Sequence, residues 1–285
     1  MNTTLPVPSH QEWHNHTKHV KLSTGITMYY MEAGNPNAEP LLLIHGFTDS
    51  SRIWRLTICA LKDRFHIYAV DWRGAGQTDK PEAFLYTMKD HADDLTAFLD
   101  ATGIENTYVL AHSMGTMIAQ SLAFCAPNRV KKILLAAAMM RGHDSAASLA
   151  EQYALYETLE LSEMPQKQIQ EMFLPHPENC RDPEFPEGYF STLRNLPAKA
   201  LRAVWFGVHQ ADNRSFAQFI QAPALILWGA KDDVLGMDYQ AEVRSSFPNA
   251  PYFIHPDISH EIPNEMPEQL AGLAIDFFLN NKFCR

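Results

Sequence analysis

Three side chains, each placed just past an apolar run, could together do nucleophilic chemistry. Residues 111–115 read Ala-His-Ser-Met-Gly, directly after the apolar run 107–110 and directly before the helix-like run 116–123. A serine between small residues, where a strand turns sharply into a helix, is held clear of its neighbours. The helix's first free N–H groups point at the same place. Ser113 is therefore a candidate nucleophile, the alternative being a plain helix N-cap. A serine hydroxyl is a weak nucleophile at neutral pH and needs a general base, most often a histidine oriented by a carboxylate. Among 13 histidines, His260 follows the strand-like run 252–254, in a loop leading into the final helix. His255, at the end of that run, is the rival base. Asp232 lies just beyond the apolar run 224–227. Serine, aspartate and histidine in that order, each past the end of a run, are far more specific together than singly.

These residues need a scaffold that gathers three strand ends. Short, nearly continuous apolar runs occur at 41–44, 67–70, 108–110, 133–137, 224–227 and 252–254. Runs of that kind suit parallel strands covered on both faces. Helical spacing marks 51–62, 88–102 and 116–124. The alternation predicts an α/β fold with a mostly parallel, doubly wound sheet, whose sites form outside the carboxyl ends of the strands. Alternating stretches at 19–22 and 26–32 predict an initial hairpin, and residues 1–16 are expected to wrap loosely over the surface. From 139 to 219 the pattern changes: helix formers, methionines and aromatics, punctuated by prolines from Pro165 to Pro197, with no strand-like run. A structureless connection of that length is rare in a compact domain, so an all-helical cap is expected there. The division is then a core of 1–138 with 220–285, and a cap of 139–219.

Composition sets outer limits. The 285 residues are 46% apolar and 20% charged, as in an ordinary globular chain. A net charge of −10 with no basic run argues against nucleic acid or an anionic membrane as partner. No apolar stretch approaches membrane-span length, and the first residues lack the basic and apolar regions of a signal peptide. The cysteines Cys59, Cys125, Cys180 and Cys284 are scattered without a C-x-x-C pair, so reduced thiols and a cytoplasmic location are expected. Cys59 and Cys125 read as small buried hydrophobes within helical patterns.

The chain resembles the α/β-hydrolase fold family over roughly residues 20–281. Beyond the Ser113 turn, Leu43-Ile-His45-Gly46-Phe47 is similar to the family's His-Gly segment, and Asp71-Trp-Arg73-Gly74-Ala-Gly76-Gln-Thr78 to its D-x-R-G-x-G-x-S/T turn. Gly229-Ala-Lys-Asp232 matches its G-x-x-D, and His260 with Glu265 and Pro267 its H-x-x-x-x-E-x-P. The resemblance implies Ser113 as nucleophile, His260 as base and Asp232 as orienting acid, with the N–H groups of Phe47 and Met114 forming an oxyanion hole. It implies no metal or organic cofactor. Two departures stand out. Ala111 replaces the usual glycine, and Asp233 stands where proline is common, so two adjacent carboxylates compete; motif register selects Asp232. Asp144, after the run 133–137, occupies the other place where relatives carry the acid.

Other residues have plainer readings. His14-x-His16-x-x-His19 superficially suggests a metal motif, but Lys18 stands where aspartate would be needed, and solvated surface histidines explain His10, His14, His16 and His19 better. His112 is read as a pocket-wall residue, since neighbours on a strand face opposite ways; His45 shapes the oxyanion loop. Asp71, Arg73 and Gly74 brace a turn. Met139, Met140, Tyr153, Tyr156, Met164, Met172, Phe173, Phe190, Trp205 and Phe206 supply packing and an adaptable apolar pocket. Trp205 and His209, four apart, share a helix face that is expected to meet a small-molecule substrate. The expected activity is hydrolysis of a small to medium, largely apolar carboxylic ester. The same machinery serves lactones, thioesters, C–C bonds and peracid formation. Serine rather than aspartate at 113 separates the chain from dehalogenase and epoxide hydrolase chemistry of this fold. A receptor with a vestigial triad is the alternative from outside enzymology.

Overall fold

The computed structural model describes residues 7–142 and 180–283. The apolar runs form one eight-stranded sheet: β1 Lys18–Lys21, β2 Thr27–Gly34, β3 Glu39–Ile44, β4 Phe65–Asp71, β5 Thr107–His112, β6 Val130–Ala136, β7 Ala224–Gly229 and β8 Tyr252–His255. Their spatial order is β1-β2-β4-β3-β5-β6-β7-β8. β1 pairs with β2 antiparallel, as the hairpin pattern predicts, and β2 with β4 antiparallel as well; all other pairs are parallel. Every residue of β7, and all of β5 but Tyr108, is buried. Strands covered on both faces need no polar side, which is why they read as unbroken apolar runs.

β3 has β4 on one side and β5 on the other, so the winding reverses between them. Right-handed crossovers then place the helices Arg55–Leu61 and Met114–Cys125 on opposite faces. The first packs against the C-terminal helix Pro267–Phe278 and the second against Met88–Ala101. That last helix starts in a capping box: Thr87 Oγ1 accepts the Asp90 N–H at 3.0 Å, and the Asp90 carboxylate accepts the Thr87 N–H at 2.8 Å. The reversal puts the ends of β3 and β5 side by side with a crevice between their extensions, the usual site position in such sheets.

Between β6 and β7 the described residues carry the helices Phe185–Arg194 and Ala198–Gln210. The chain leaves and re-enters the core alongside itself: Asn213 N–H donates to the Met140 carbonyl at 2.7 Å, and Arg141 bridges to Asp212. The loop before Met88 presses onto the helix Ala198–Gln210. Tyr86 N–H donates to the Ala203 carbonyl at 2.9 Å, and a Cβ on Gly207 would come within 1.7 Å of the Tyr86 oxygen. Phe190, Trp205, Phe206, Met139 and Met140 are buried. Asp144, Tyr153, Tyr156, Met164, Met172, Phe173 and Cys284 lie outside the described residues. No helix among the described residues is long and apolar enough to cross a membrane.

Three expectations fail. The segment from residue 7 does not wrap loosely: Trp13 is 2% exposed and its indole donates to Ser51 Oγ at 3.0 Å. His10, expected on the surface, is buried with Nε2 2.9 Å from Asp182, which Arg55 also contacts at 3.1 Å. A buried carboxylate needs such partners, and Asp182 is too distant in sequence to show. Cys59 and Cys125 are exposed; Ile58 and Leu61 take the inner face of the first helix, and Cys125 is the last residue of the second.

Candidate active site

The turn after β5 is as tight as its small residues require. Ser113 has φ 52° and ψ −127°, a conformation that costs a residue with a Cβ and persists only where the surroundings impose it. Its N–H donates to the Ala136 carbonyl at the end of β6 at 3.0 Å, and Thr116 Oγ1 donates to its carbonyl at 2.6 Å. Gly115 is obligatory: a Cβ there would lie 2.4 Å from the His45 carbonyl oxygen and 2.5 Å from that of Ile44. The loop after β3 is thereby packed directly on the helix start.

The glycine of the acid turn has a similar cause. A Cβ on Gly229 would lie 2.3 Å from the carbonyl oxygens of both Ile258 and Ser259, so only glycine lets the histidine loop rest on the end of β7. Lys231 N–H then donates to the Ile258 carbonyl at 3.0 Å. Glu265 holds the loop from the other side, accepting the Ser259 N–H at 3.1 Å and also the Ser259 hydroxyl. This arrangement delivers His260 to both partners. Its Nδ1 is 2.9 Å from Asp232 Oδ2, and its Nε2 is 2.9 Å from Ser113 Oγ. The carboxylate can only accept, so Nδ1 donates and Nε2 is left to accept from the serine hydroxyl. Asp232 Oδ1 takes the N–H groups of Val234 and Leu235, at 3.0 and 2.8 Å, which fixes the carboxylate. Asp233 is exposed and acts on His260 through its charge, while His255 Nδ1 accepts the Asp257 N–H at 3.3 Å. Burial pushes the His260 imidazolium down, but the Asp232 bond and charge outweigh it, so its pKa lies above the ordinary histidine value.

Around this chain of bonds the other expected residues fall in different places. Among the described residues, nothing accepts the N–H of Phe47 or of Met114; the second is free because helix starts leave their first donors unpaired. His45 is wholly buried, with Nδ1 2.8 Å from the Gly46 carbonyl. His112 is buried too, and its Nε2 donates to the His260 carbonyl at 2.8 Å, tying the serine strand to the histidine loop. Trp205 and His209 share a helix face, their rings 4.0 Å apart. Asp71 braces its turn by accepting the Ser51 and Gln77 N–H groups at 2.7 and 2.9 Å. Arg73 pairs with Asp94 at 2.6 Å.

Two buried acids beside the site escape the sequence. Burial drives the Glu261 carboxyl up to about 7 and Asp49 well above the carboxylate range, each reinforced by nearby like charge. Neither belongs to a spacing pattern, so nothing local marks them. The polar atoms of Glu261, His112 and His260 lie within 4.8 Å of one another. Both His260 nitrogens and one His112 nitrogen are already engaged, so an ion there would have to displace one of the two hydrogen bonds of the His260 ring.

The alpha/beta hydrolase fold model matches residues 39–265. An uncharacterized hydrolase of Bacillus subtilis, YugF, is 26% identical over 262 residues, covering 89% of this chain and 94% of the relative. A cis-3-alkyl-4-alkyloxetan-2-one decarboxylase of Shewanella oneidensis is also 26% identical, covering 89% of this chain and 85% of the relative. Among solved structures, the enol-lactonase from Burkholderia xenovorans LB400 has a TM-score of 0.80 at 19% identity, over 91% of this chain and 99% of the other, a likeness of fold. With the family match spanning most of its length and the serine turn, acid turn and histidine loop in the family's order, this chain belongs to the α/β-hydrolase fold family.

Proposed function

We propose that the chain is a serine hydrolase that cleaves a small to medium, largely apolar carboxylic ester through an acyl-enzyme. The observation that carries this reading is the unbroken chain of bonds from Ser113 Oγ through His260 to Asp232, with 2.9 Å at each step. Ser113 Oγ bonds to the acyl carbon while His260 Nε2 takes its proton. The carbonyl oxygen becomes an oxyanion facing the free N–H groups of Phe47 and Met114, each such donor typically contributing about 3 kcal/mol in the transition state. As the intermediate collapses, the ester C–O bond breaks and the departing alkoxide takes the proton from His260. A water then gives a proton to His260 and its oxygen to the acyl carbon. Breaking the Ser113 ester returns the proton to Oγ and releases the acid. Asp232 holds the imidazole tautomer and stabilises its charge throughout.

Serine at 113 supports an acyl rather than an alkyl intermediate, and hence ester chemistry over dehalogenation or epoxide opening. In this reading the helices Phe185–Arg194 and Ala198–Gln210 belong to a cap over the site, with Trp205 and His209 on the substrate side. A graded series of p-nitrophenyl esters, acetyl to dodecanoyl, with wild type and Ser113→Ala side by side, tests this. Turnover that vanishes in the variant is expected. No turnover on any ester by folded wild type would overturn the ester reading in favour of lactones, C–C bonds or a receptor.

A further inference from the structure

We propose that Thr116 is a positioning residue of this site: its hydroxyl ties the turn that carries Ser113 to the chain leaving β6, so that the two corners hold one another. The inference rests on the serine-hydrolase reading above. Two residues with a Cβ adopt left-handed backbone at neighbouring strand ends, Ser113 at φ 52° and Ala137 at φ 49°. They follow His112 and Ala136, which stand opposite each other in β5 and β6. Such conformations persist only where the surroundings impose them. The Ser113 N–H donates to the Ala136 carbonyl at 3.0 Å, and the Ala137 N–H to the Leu227 carbonyl at 2.9 Å. Thr116 closes the arrangement from the helix side. Its Oγ1 donates to the Ser113 carbonyl at 2.6 Å and accepts the Met139 N–H at 3.2 Å. A hydroxyl carries a single proton, so serine receives it and a lone pair serves Met139.

A threonine in a helix commonly donates back to a carbonyl three or four residues earlier. That local habit does not account for the Met139 bond, nor for what lies behind it. Gln120, one turn further along the same helix, donates from Nε2 to the Met139 carbonyl at 3.0 Å. Asn213 Nδ2 donates in turn to Gln120 Oε1, also at 3.0 Å. Asn213 stands where the chain returns toward β7, and its own N–H donates to the Met140 carbonyl at 2.7 Å. Thr116, Gln120 and Asn213 are all buried. Away from water such bonds are strong, and removing one partner strands a polar group. The series therefore runs from Asn213 through Gln120 to the Met139 backbone, and on through Thr116 to the Ser113 carbonyl. Thr116 is the member that bonds to Ser113, so a displacement of the outgoing chain reaches the nucleophile through that hydroxyl.

The test reads the nucleophile directly with a fluorophosphonate probe: Ser113 Oγ bonds to phosphorus, fluoride leaves, and His260 takes the hydroxyl proton. Labelling rates are compared for wild type, Thr116→Val, Thr116→Ser, Gln120→Met, the double variant Thr116→Val with Gln120→Met, and Ser113→Ala. The same proteins give kcat and KM on a p-nitrophenyl ester. Valine keeps the shape without the hydroxyl; serine keeps the hydroxyl. Thr116→Val is expected to label roughly tenfold more slowly, the effect of a small misplacement of reacting atoms, with KM within about threefold of wild type. Thr116→Ser should return to within about threefold of the wild-type rate. Gln120→Met should slow labelling by about threefold alone and by nothing further once Thr116 is replaced, because its effect passes through that hydroxyl. Native-like melting with a wild-type rate in Thr116→Val overturns the proposal. So does Thr116→Ser labelling no faster than Thr116→Val, or a double variant in which the two losses simply multiply. Gln120→Met serves if Thr116→Val does not fold, and a wild-type rate there is equally fatal. Equal labelling of Ser113→Ala and wild type, or none of wild type, instead overturns the serine-hydrolase reading, and the role of Thr116 with it.

Discussion

Replacing Glu261 by glutamine should make the protein more stable at alkaline pH while leaving it nearly unchanged at acid pH. Glu261 is buried beside His260, with its carboxyl 3.3 Å from the Asn264 amide and with Glu265, Asp232 and Asp49 adding negative charge nearby. Burial raises its pKa from 4.5 to about 7. For a carboxyl raised on folding, the native state prefers the protonated form. Stability is therefore retained below the unfolded pKa and lost as pH rises between the two values. The gap, at about 1.4 kcal/mol per pKa unit, amounts to about 3 kcal/mol, fully developed above about pH 7. Glutamine has nearly the same shape and cannot ionise, so it removes that penalty. Urea unfolding of both proteins at several pH values between about 4.5 and 8 measures it. The wild type should lose about 3 kcal/mol more than Glu261→Gln across the range. Parallel curves would show that Glu261 is charged in the native state at little cost, and would refute the placement of a neutral carboxyl there.

Other expectations follow from the same geometry. Asp232→Asn should lower kcat by roughly 10⁴ through the wrong imidazole tautomer, whereas the exposed Asp233→Asn should change it by less than about threefold; esterase kinetics on both variants distinguish them. Gly229→Ala would drive a Cβ to 2.3 Å from two backbone oxygens of the histidine loop. It should lower both the melting temperature and kcat, and wild-type values of both would be the contrary result. Asp182→Ala strips His10 and Arg55 of their shared buried partner. Thermal unfolding should show a loss of about 3 kcal/mol, the usual cost of breaking such a pair.

The candidate site was legible because Ser113, Asp232 and His260, which the structure brings together, follow strand ends, and strands covered on both faces announce themselves as unbroken apolar runs. Small residues told as much as reactive ones: Gly115 and Gly229 stand where a neighbouring carbonyl would strike any Cβ. Motif register also separated Asp232 from Asp233, which composition alone could not do. What stayed hidden depends on partners far along the chain. His10 looked like a surface histidine because Asp182, 172 residues away, is what buries it. Glu261 and Asp49 carry no signal in the sequence because their burial comes from packing between loops that share no spacing. The His45 ring showed only as part of a His-Gly pair; the Trp72 ring stacked on it comes from another strand end.

The most direct test is to find which atom becomes acylated. Wild type is mixed with a slowly deacylating p-nitrophenyl ester, quenched during the burst, and its peptides are mapped by mass spectrometry. The acyl group should sit on the peptide carrying Ser113, at close to one per chain, and should be absent from Ser113→Ala. An acyl group on another residue, or turnover with none trapped on Ser113, would contradict a covalent serine mechanism.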